Sequence, residues 1–315
     1  MICQTVPIRE NARLECYLIS PSPEYAQQGP RPAVLVLPGG AYLCTSDREA
    51  EFVALRFAAN GYHAFVLRYS VGPAARFPAP MLEGFAALAE LRARAEEWNV
   101  DPARIAVCGF SAGGHLAACL MTLWREPRIA GALGADPARL RPDAAILSYP
   151  VVRIPWHAEP YETGVPFAAR KPVLAKLAAQ FGSTDTTLLE LCALDRDGLL
   201  ALDTRRALNA LLIGDPDAPA EAYRPYDADR LIDSQTPPAF VWTTGGDETV
   251  PPEQALDFAR AMRRAGRPVE LHLFGHGQHG LSLANAQTEG IPPVADPDIA
   301  AWFELALAWL RRTLG

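Results

Sequence analysis

One serine stands in the stretch RIAVCGFSAGGHLAACL (104–120) with a glycine two residues before it and another two after: Gly109-Phe110-Ser111-Ala112-Gly113. An apolar, β-branched run leads into the motif and an Ala/Leu-rich run leads out. G-x-S-x-G therefore falls where a strand turns sharply into a helix, the setting that gives this motif meaning. The chemistry needs that setting. A tight turn forces the serine into a strained backbone conformation, small residues on either side leave room for it, and the helix N-terminus beneath favours developing negative charge. Ser111 is the candidate nucleophile.

A serine hydroxyl attacks poorly until a base takes its proton, and the base must itself be oriented by an acid. Downstream, AFVWTTGGDETVPPEQ (239–254) places Asp247 just past an apolar run, with Glu248 as its rival. Further on, VELHLFGHGQHGLSLA (269–284) holds His272, His276 and His279, the last two in a Gly-rich loop. Serine, acid and histidine thus follow one another in the order this architecture uses, each after a strand. Position in the loop does not choose between His276 and His279. A metal site built from the three histidines is disfavoured, because His272 lies on a strand and the spacing is neither a helical H-x-x-x-H face nor a Cys/His site. No metal and no cofactor is expected.

A tetrahedral intermediate needs preformed hydrogen-bond donors, and losing one typically costs roughly 10²–10³ in rate. One is expected from the N–H of Ala112. The other is expected from VLPGGAYLCTS (36–46), where Gly40 and Ala41 follow the end of a strand. A phosphate-binding loop is disfavoured there, since no Lys follows at P-loop spacing.

These residues require a scaffold of strands and helices. Six nearly continuous apolar runs, at 33–37, 63–69, 105–110, 144–150, 239–244 and 269–274, read as strands covered on both faces. A hairpin, TVPI and RLECYLI, precedes them. Helical periodicity falls at 82–98, at 251–266 between prolines and Gly266, and from Asp298 onward, where Ile299, Trp302, Phe303, Ala306 and Leu310 form one stripe. The alternation predicts a mostly parallel eight-stranded α/β sheet with helices on both faces, in a single domain spanning 1–315. Residues 157–208 interrupt the rhythm. They read as a helical insertion without strands, with capping-box spacing at Thr187 and Glu190, and as a cap over one end of the sheet.

Composition narrows the partners. The chain has 315 residues, half of them hydrophobic, and a formal charge of −7. An acidic balance without Lys/Arg runs argues against nucleic acid or an anionic membrane surface. No apolar run approaches membrane-spanning length, and the N-terminus lacks a signal-peptide pattern. Six cysteines without C-x-x-C spacing fit reduced packing residues and a cytoplasmic location.

Together, RPAVLVLPGGAY, RFAANGYHAFVLRYSVGP, NVDPARIAVCGFSAGGHLAA, ILSYPVV, TPPAFVWTTGGDETVPPEQALDFARAMRRAG and VELHLFGHGQHGLSLA resemble the α/β-hydrolase esterases related to acetyl-xylan and feruloyl esterases. The likeness covers about 31–156 and 209–289. It implies the α/β-hydrolase fold, Ser111 as nucleophile, Asp247 in its D-x-x-V-P context as acid, and His279 of the terminal H-G-L as base. Where related esterases carry H-G-G-G, this chain has Pro38-Gly39-Gly40-Ala41. The resemblance implies hydrolysis of small acyl esters, O-acetyl groups on sugars or oligosaccharides foremost. Tyr42 and Trp156 are then candidates for stacking on a sugar ring. A prolyl-oligopeptidase-type exopeptidase, an amidase or formamidase, and an inert ligand-binding member of the fold are the competing readings. His63 is read as a buried strand residue with a backbone partner, and His115 as a support behind the nucleophile loop.

Overall fold

The structure is a computed structural model of the whole chain and describes residues 1–154, 160–180, 186–290 and 295–315. Its strands are β1 (Ile2–Arg9), β2 (Ala12–Leu18), β3 (Arg31–Leu37), β4 (His63–Arg68), β5 (Val100–Phe110), β6 (Ala144–Ser148), β7 (Tyr161–Pro166), β8 (Ala193–Arg196), β9 (Leu199–Leu202), β10 (Ala239–Thr244) and β11 (Val269–Phe274). Helices are α1 (Glu51–Ala59), α2 (Ala79–Ala93), α3 (Ala112–Leu123), α4 (Pro127–Leu133), α5 (Arg170–Gln180), α6 (Thr187–Leu191), α7 (Thr204–Leu212), α8 (Glu253–Arg264), α9 (Pro297–Ala300) and α10 (Trp302–Leu314).

Eight strands form the main sheet in the order β1-β2-β4-β3-β5-β6-β10-β11. The hairpin β1–β2 is antiparallel and joins β4 antiparallel; every later pairing is parallel. The predicted mostly parallel eight-stranded sheet is therefore what the chain builds.

The apolar runs explain the layering. Successive side chains of a strand point to opposite faces. In β3, Ala33, Leu35 and Leu37 enter one core while Val34 and Val36 enter the other. β10 divides the same way, with Ala239 and Val241 on one side and Phe240 and Trp242 on the other. Helices cover both faces. Met81, Phe85 and Leu88 of α2, Leu116 and Leu120 of α3, and Phe258 and Met262 of α8 close the first core. Val53 and Phe57 of α1, with Trp302, Phe303, Ala306 and Leu310 of α10, close the second. Trp242 and Trp302 stack there at 5.0 Å. A fully buried side chain of this size is worth roughly 1.5–3 kcal/mol relative to exposure, so the two cores together hold the sheet rigid beneath its loops.

The insertion departs from expectation. It carries a second, three-stranded antiparallel sheet, ordered β7-β9-β8, beside α5 and α6. The β8–β9 hairpin turns at Asp197-Gly198, both with positive φ (54° and 82°), the conformation that a two-residue Asp-Gly turn adopts. The capping-box expectation fails as well: α6 takes Thr186 as its N-cap without a side-chain cap bond, and the Glu190 carboxylate accepts from Arg170 Nε at 3.2 Å instead.

Candidate active site

Ser111 lies at the junction of β5 and α3 with φ 52° and ψ −117°, a conformation that an L-residue adopts only under constraint from its surroundings. Three backbone bonds provide that constraint. Its N–H donates to Ser148 C=O at 3.0 Å, and its C=O accepts from His115 N–H at 3.1 Å and from Val151 N–H at 3.2 Å. The flanking glycines are needed for contact distance. A Cβ on Gly109 would lie 2.2 Å from Gly113 C=O, and one on Gly113 would lie 2.0 Å from Leu37 C=O. Strand, turn and neighbouring strand close on the serine too tightly for any side chain.

His279 meets this serine from the loop after β11. Its Nε2 is 2.8 Å from Ser111 Oγ, and its Nδ1 is 2.7 Å from Asp247 Oδ2. Because the carboxylate can only accept, it fixes the proton on Nδ1 and leaves Nε2 to accept from the serine hydroxyl. Asp247 is held in turn. Its other oxygen accepts from Thr249 N–H at 3.0 Å and Val250 N–H at 2.8 Å, and the residue is 4% exposed. Glu248 faces solvent.

The three histidines take three different partners. His276 is exposed and bonds Asp296 Oδ2 at 2.7 Å, while Asp296 Oδ1 caps α9. His272 stays on β11, where it bonds Glu270 Oε1 at 3.1 Å and lies tilted against the Phe240 ring at 4.9 Å. It is His279 that reaches Ser111.

The loop after β3 runs beside the serine with unusual backbone geometry. Gly40, Ala41 and Tyr42 have φ of 125°, 54° and 60°. A Cβ on Gly40 would meet Cys44 C=O at 2.3 Å, so only glycine fits that turn. Among the described residues no group accepts from the N–H of Gly40, Ala41 or Ala112. The N–H of Ala112 is one of the first-turn donors that a helix leaves without an internal partner. These are the donors expected for an oxyanion.

Tyr42 is corrected. It is 1% exposed, its hydroxyl bonds His115 Nδ1 at 2.8 Å, and its ring packs edge-on against Tyr69 and Phe77. A ring sealed on these sides cannot stack on a sugar. Instead it anchors the strained loop from below, and His115 continues the anchor by bonding Tyr226 C=O through Nε2 at 2.9 Å. Burial lowers the His115 pKa to about 4, which keeps its ring neutral and able to accept from Tyr42. His63 is also buried, and its Nδ1 accepts from Ile19 N–H at 3.1 Å. Trp156 and His157 fall outside the described residues.

Sequence reasoning passed over Glu49, Tyr149 and Ser282. Glu49 sits in the short turn 47–49 that follows the Gly39–Ala41 loop, buried to 4% exposure, and accepts from Gly39 N–H at 2.7 Å and from Tyr149 OH at 2.6 Å. The Tyr149 oxygen also accepts from Ser282 N–H at 2.8 Å, and its ring lies edge-on to His279 at 5.0 Å. Nothing in the spacing distinguishes Glu49 from Asp47 and Glu51 beside it.

Comparison with known proteins places the chain. Residues 22–262 match the family described as BD-FAE. The chain belongs to the BD-FAE family. Its fold is that of solved α/β-hydrolases. The BD-FAE chain is 28% identical to endo-1,4-beta-xylanase B of Butyrivibrio fibrisolvens over 81% of its own length and 33% of that protein's. It is 23% identical to an acetylxylan esterase of Xylanibacter ruminicola over 80% of its own length and 41% of that protein's. The chain thus spans less than half the length of these two curated relatives. Among solved structures it is similar to the acetyl ester-xyloside bifunctional hydrolase of Caldicellulosiruptor lactoaceticus, with 28% identity, a TM-score of 0.66, and coverage of 98% of this chain and 96% of that one. No helix among the described residues is long and apolar enough to cross a membrane.

Proposed function

We propose that this BD-FAE member is a serine carboxylesterase that hydrolyses small acyl esters, O-acetyl groups on sugars or oligosaccharides foremost, through Ser111, His279 and Asp247. The observation that carries the reading is the continuous relay from Asp247 through His279 to a strained serine. The similarity to an acetylxylan esterase and to an acetyl ester-xyloside hydrolase supports the substrate class.

On this reading, Ser111 Oγ attacks the ester carbonyl carbon as His279 Nε2 takes its proton. The carbonyl oxygen becomes an oxyanion beside the N–H groups of Gly40, Ala41 and Ala112. Asp247 holds the Nδ1 proton and stabilises the imidazolium. The C–O bond to the alcohol breaks, and that alcohol leaves with the proton from Nε2. Water, deprotonated by the same nitrogen, then attacks the acyl carbon; the bond to Ser111 Oγ breaks, Nε2 returns the proton to that oxygen, and the acid leaves. No step calls for a cofactor.

We further propose that the insertion, 157–208, is a cap that bounds the acyl or alcohol pocket, since its two flanking segments both reach the site. It follows β6, and the chain leaving that strand bonds Ser111 C=O through Val151 N–H. Helix α7 carries the chain out of 157–208, and its last residue, Leu212, four positions past the insertion, accepts from Phe77 N–H at 2.8 Å, where Phe77 packs on Tyr42.

The deciding experiment is turnover of p-nitrophenyl acetate, butyrate and octanoate, acetate release from acetylated xylo-oligosaccharide, and turnover of an aminoacyl p-nitroanilide. Fluorophosphonate labelling mapped by mass spectrometry accompanies it. Acetyl preference, acetate release and labelling at Ser111 are expected. Faster turnover of the anilide than of every ester would select the exopeptidase or amidase class instead.

A further inference from the structure

Two loops must keep their relative position for this site to work: the turn after β3 that presents Gly40 and Ala41, and the loop after β11 that presents His279. They belong to distant parts of the chain. Glu49 joins them. One carboxylate oxygen accepts from Gly39 N–H, next to the donor Gly40, and the other accepts from Tyr149 OH. The Tyr149 oxygen accepts in turn from Ser282 N–H, three residues past His279, and the Tyr149 ring supports the imidazole edge-on. A second strap runs beside the first: Ser282 Oγ donates to Arg48 C=O at 2.6 Å, and Arg48 Nε donates to Thr288 C=O at 2.7 Å.

We propose that Glu49 is a positioning residue for the esterase reaction, its buried carboxylate clamping the oxyanion loop to the His279 loop through Tyr149 and Ser282. The inference rests on the esterase reading above.

The hydrogen-bond polarity requires a carboxylate. Both oxygens face donors, and Tyr149, already accepting from Ser282, has its own proton to give. A glutamine at position 49 has one acceptor and one donor. Whichever way the amide turns, one arm fails: either an N–H faces Gly39 N–H, or the Tyr149 proton loses its acceptor. Burial holds the Glu49 carboxyl above the usual carboxylate range, and the bonds from Tyr149 and Gly39 with the nearby His279 and Arg48 offset only part of that rise. A buried carboxyl with hydrogen bonds to both oxygens and, among the described residues, no direct ion pair is costly to retain for packing alone.

The test uses the full chain with Glu49→Gln, Tyr149→Phe and Ser111→Ala. Active sites are titrated with a fluorophosphonate, so that kcat refers only to folded, reactive enzyme. Glu49→Gln is expected to lose about 10²-fold in kcat per titrated site with KM for p-nitrophenyl acetate nearly unchanged, the signature of misplaced oxyanion donors. Its affinity for a trifluoromethyl ketone, which mimics the tetrahedral intermediate, should fall by a similar factor. Tyr149→Phe keeps the Gly39 arm and should lose less, about tenfold, by the same reasoning. A purely structural role would lower the melting temperature and the titratable fraction but leave kcat per site and ketone binding unchanged. That pattern in Glu49→Gln, or in Tyr149→Phe if the first variant does not fold, overturns the proposal. Retained activity in Ser111→Ala would instead sink the esterase reading itself. An inactive Ser111→Ala beside wild-type kcat in the other two would sink only the clamp.

Discussion

The imidazole of His279 stands 2.8 Å from the hydroxyl of Ser111 across 168 residues of sequence. Each residue is held from behind. Asp247 fixes the ring by its far nitrogen, and the β5–α3 turn fixes the serine by its backbone. The consequences of that arrangement can be measured.

Replacing either member of the pair should abolish turnover while the neighbouring histidine is spared. Ser111→Ala and His279→Ala are expected to reduce kcat for p-nitrophenyl acetate by about 10⁴-fold or more. His276→Ala should stay within a few-fold, since its ring bonds Asp296 in an exposed position. Equal losses at His276 and His279 in steady-state kinetics would contradict the assignment.

Asp247→Asn should leave the chain folded and cost kcat by about 10⁴-fold, because an amide donating to Nδ1 favours the wrong tautomer. Glu248→Gln serves as the comparison and is expected to behave as wild type, its side chain facing solvent. Comparable losses in both variants would reject Asp247 as the orienting acid.

Acid should weaken the protein partly through His115. Its folded pKa is about 4, below the ordinary value of 6.5, with burial as the main cause. The folded state therefore binds fewer protons than the unfolded chain between those values, and stability falls as pH falls through that window. The ceiling for this fully buried group is on the order of 3 kcal/mol. His115→Gln removes the titration, so the stability advantage of wild type over the variant should shrink from pH 7 to pH 4. Urea unfolding at several pH values reads this. A difference independent of pH would show that His115 does not contribute.

Leu35→Ala opens a hole at a position of zero exposure in the central strand β3. The expected cost is about 2–5 kcal/mol of unfolding free energy by urea titration. kcat per titrated site should change little, because Leu35 lies inside β3, paired with Phe65 and Val107, and not in the loops that carry the site. A cost below about 1 kcal/mol would mean that the core collapses around the gap.

Much of this was legible before any coordinates. The strands at 239–244 and 269–274 have the bounds read from their apolar runs. β5 begins earlier than expected, at Val100, because Arg31 pairs with it there across an irregular register. The second sheet is not legible in the sequence although part of its signal is: Asp197-Gly198 is a hairpin turn, but TTLLELCALD (186–195), which runs into β8, reads as helix. Tyr42 was misread because an aromatic beside an oxyanion loop can point outward or inward. Its inward direction depends on His115, 73 residues away.

Sequence alone determined the kinds of group and their order: a serine in a glycine-bounded turn, then an acid, then a histidine, each behind an apolar run. Local steric rules suffice for that, because a turn too tight for a side chain and a strand covered on both faces leave their marks within a few residues. Loop position left His276 and His279 open and family resemblance pointed to His279; only the tertiary structure showed that His279 meets the serine, where Tyr42 points, and that Glu49 joins two loops. Those outcomes are hydrogen bonds between residues that are tens to hundreds of positions apart. A buried donor accepts whichever partner the packed sheet brings within about 3 Å, and no short window of sequence encodes that approach.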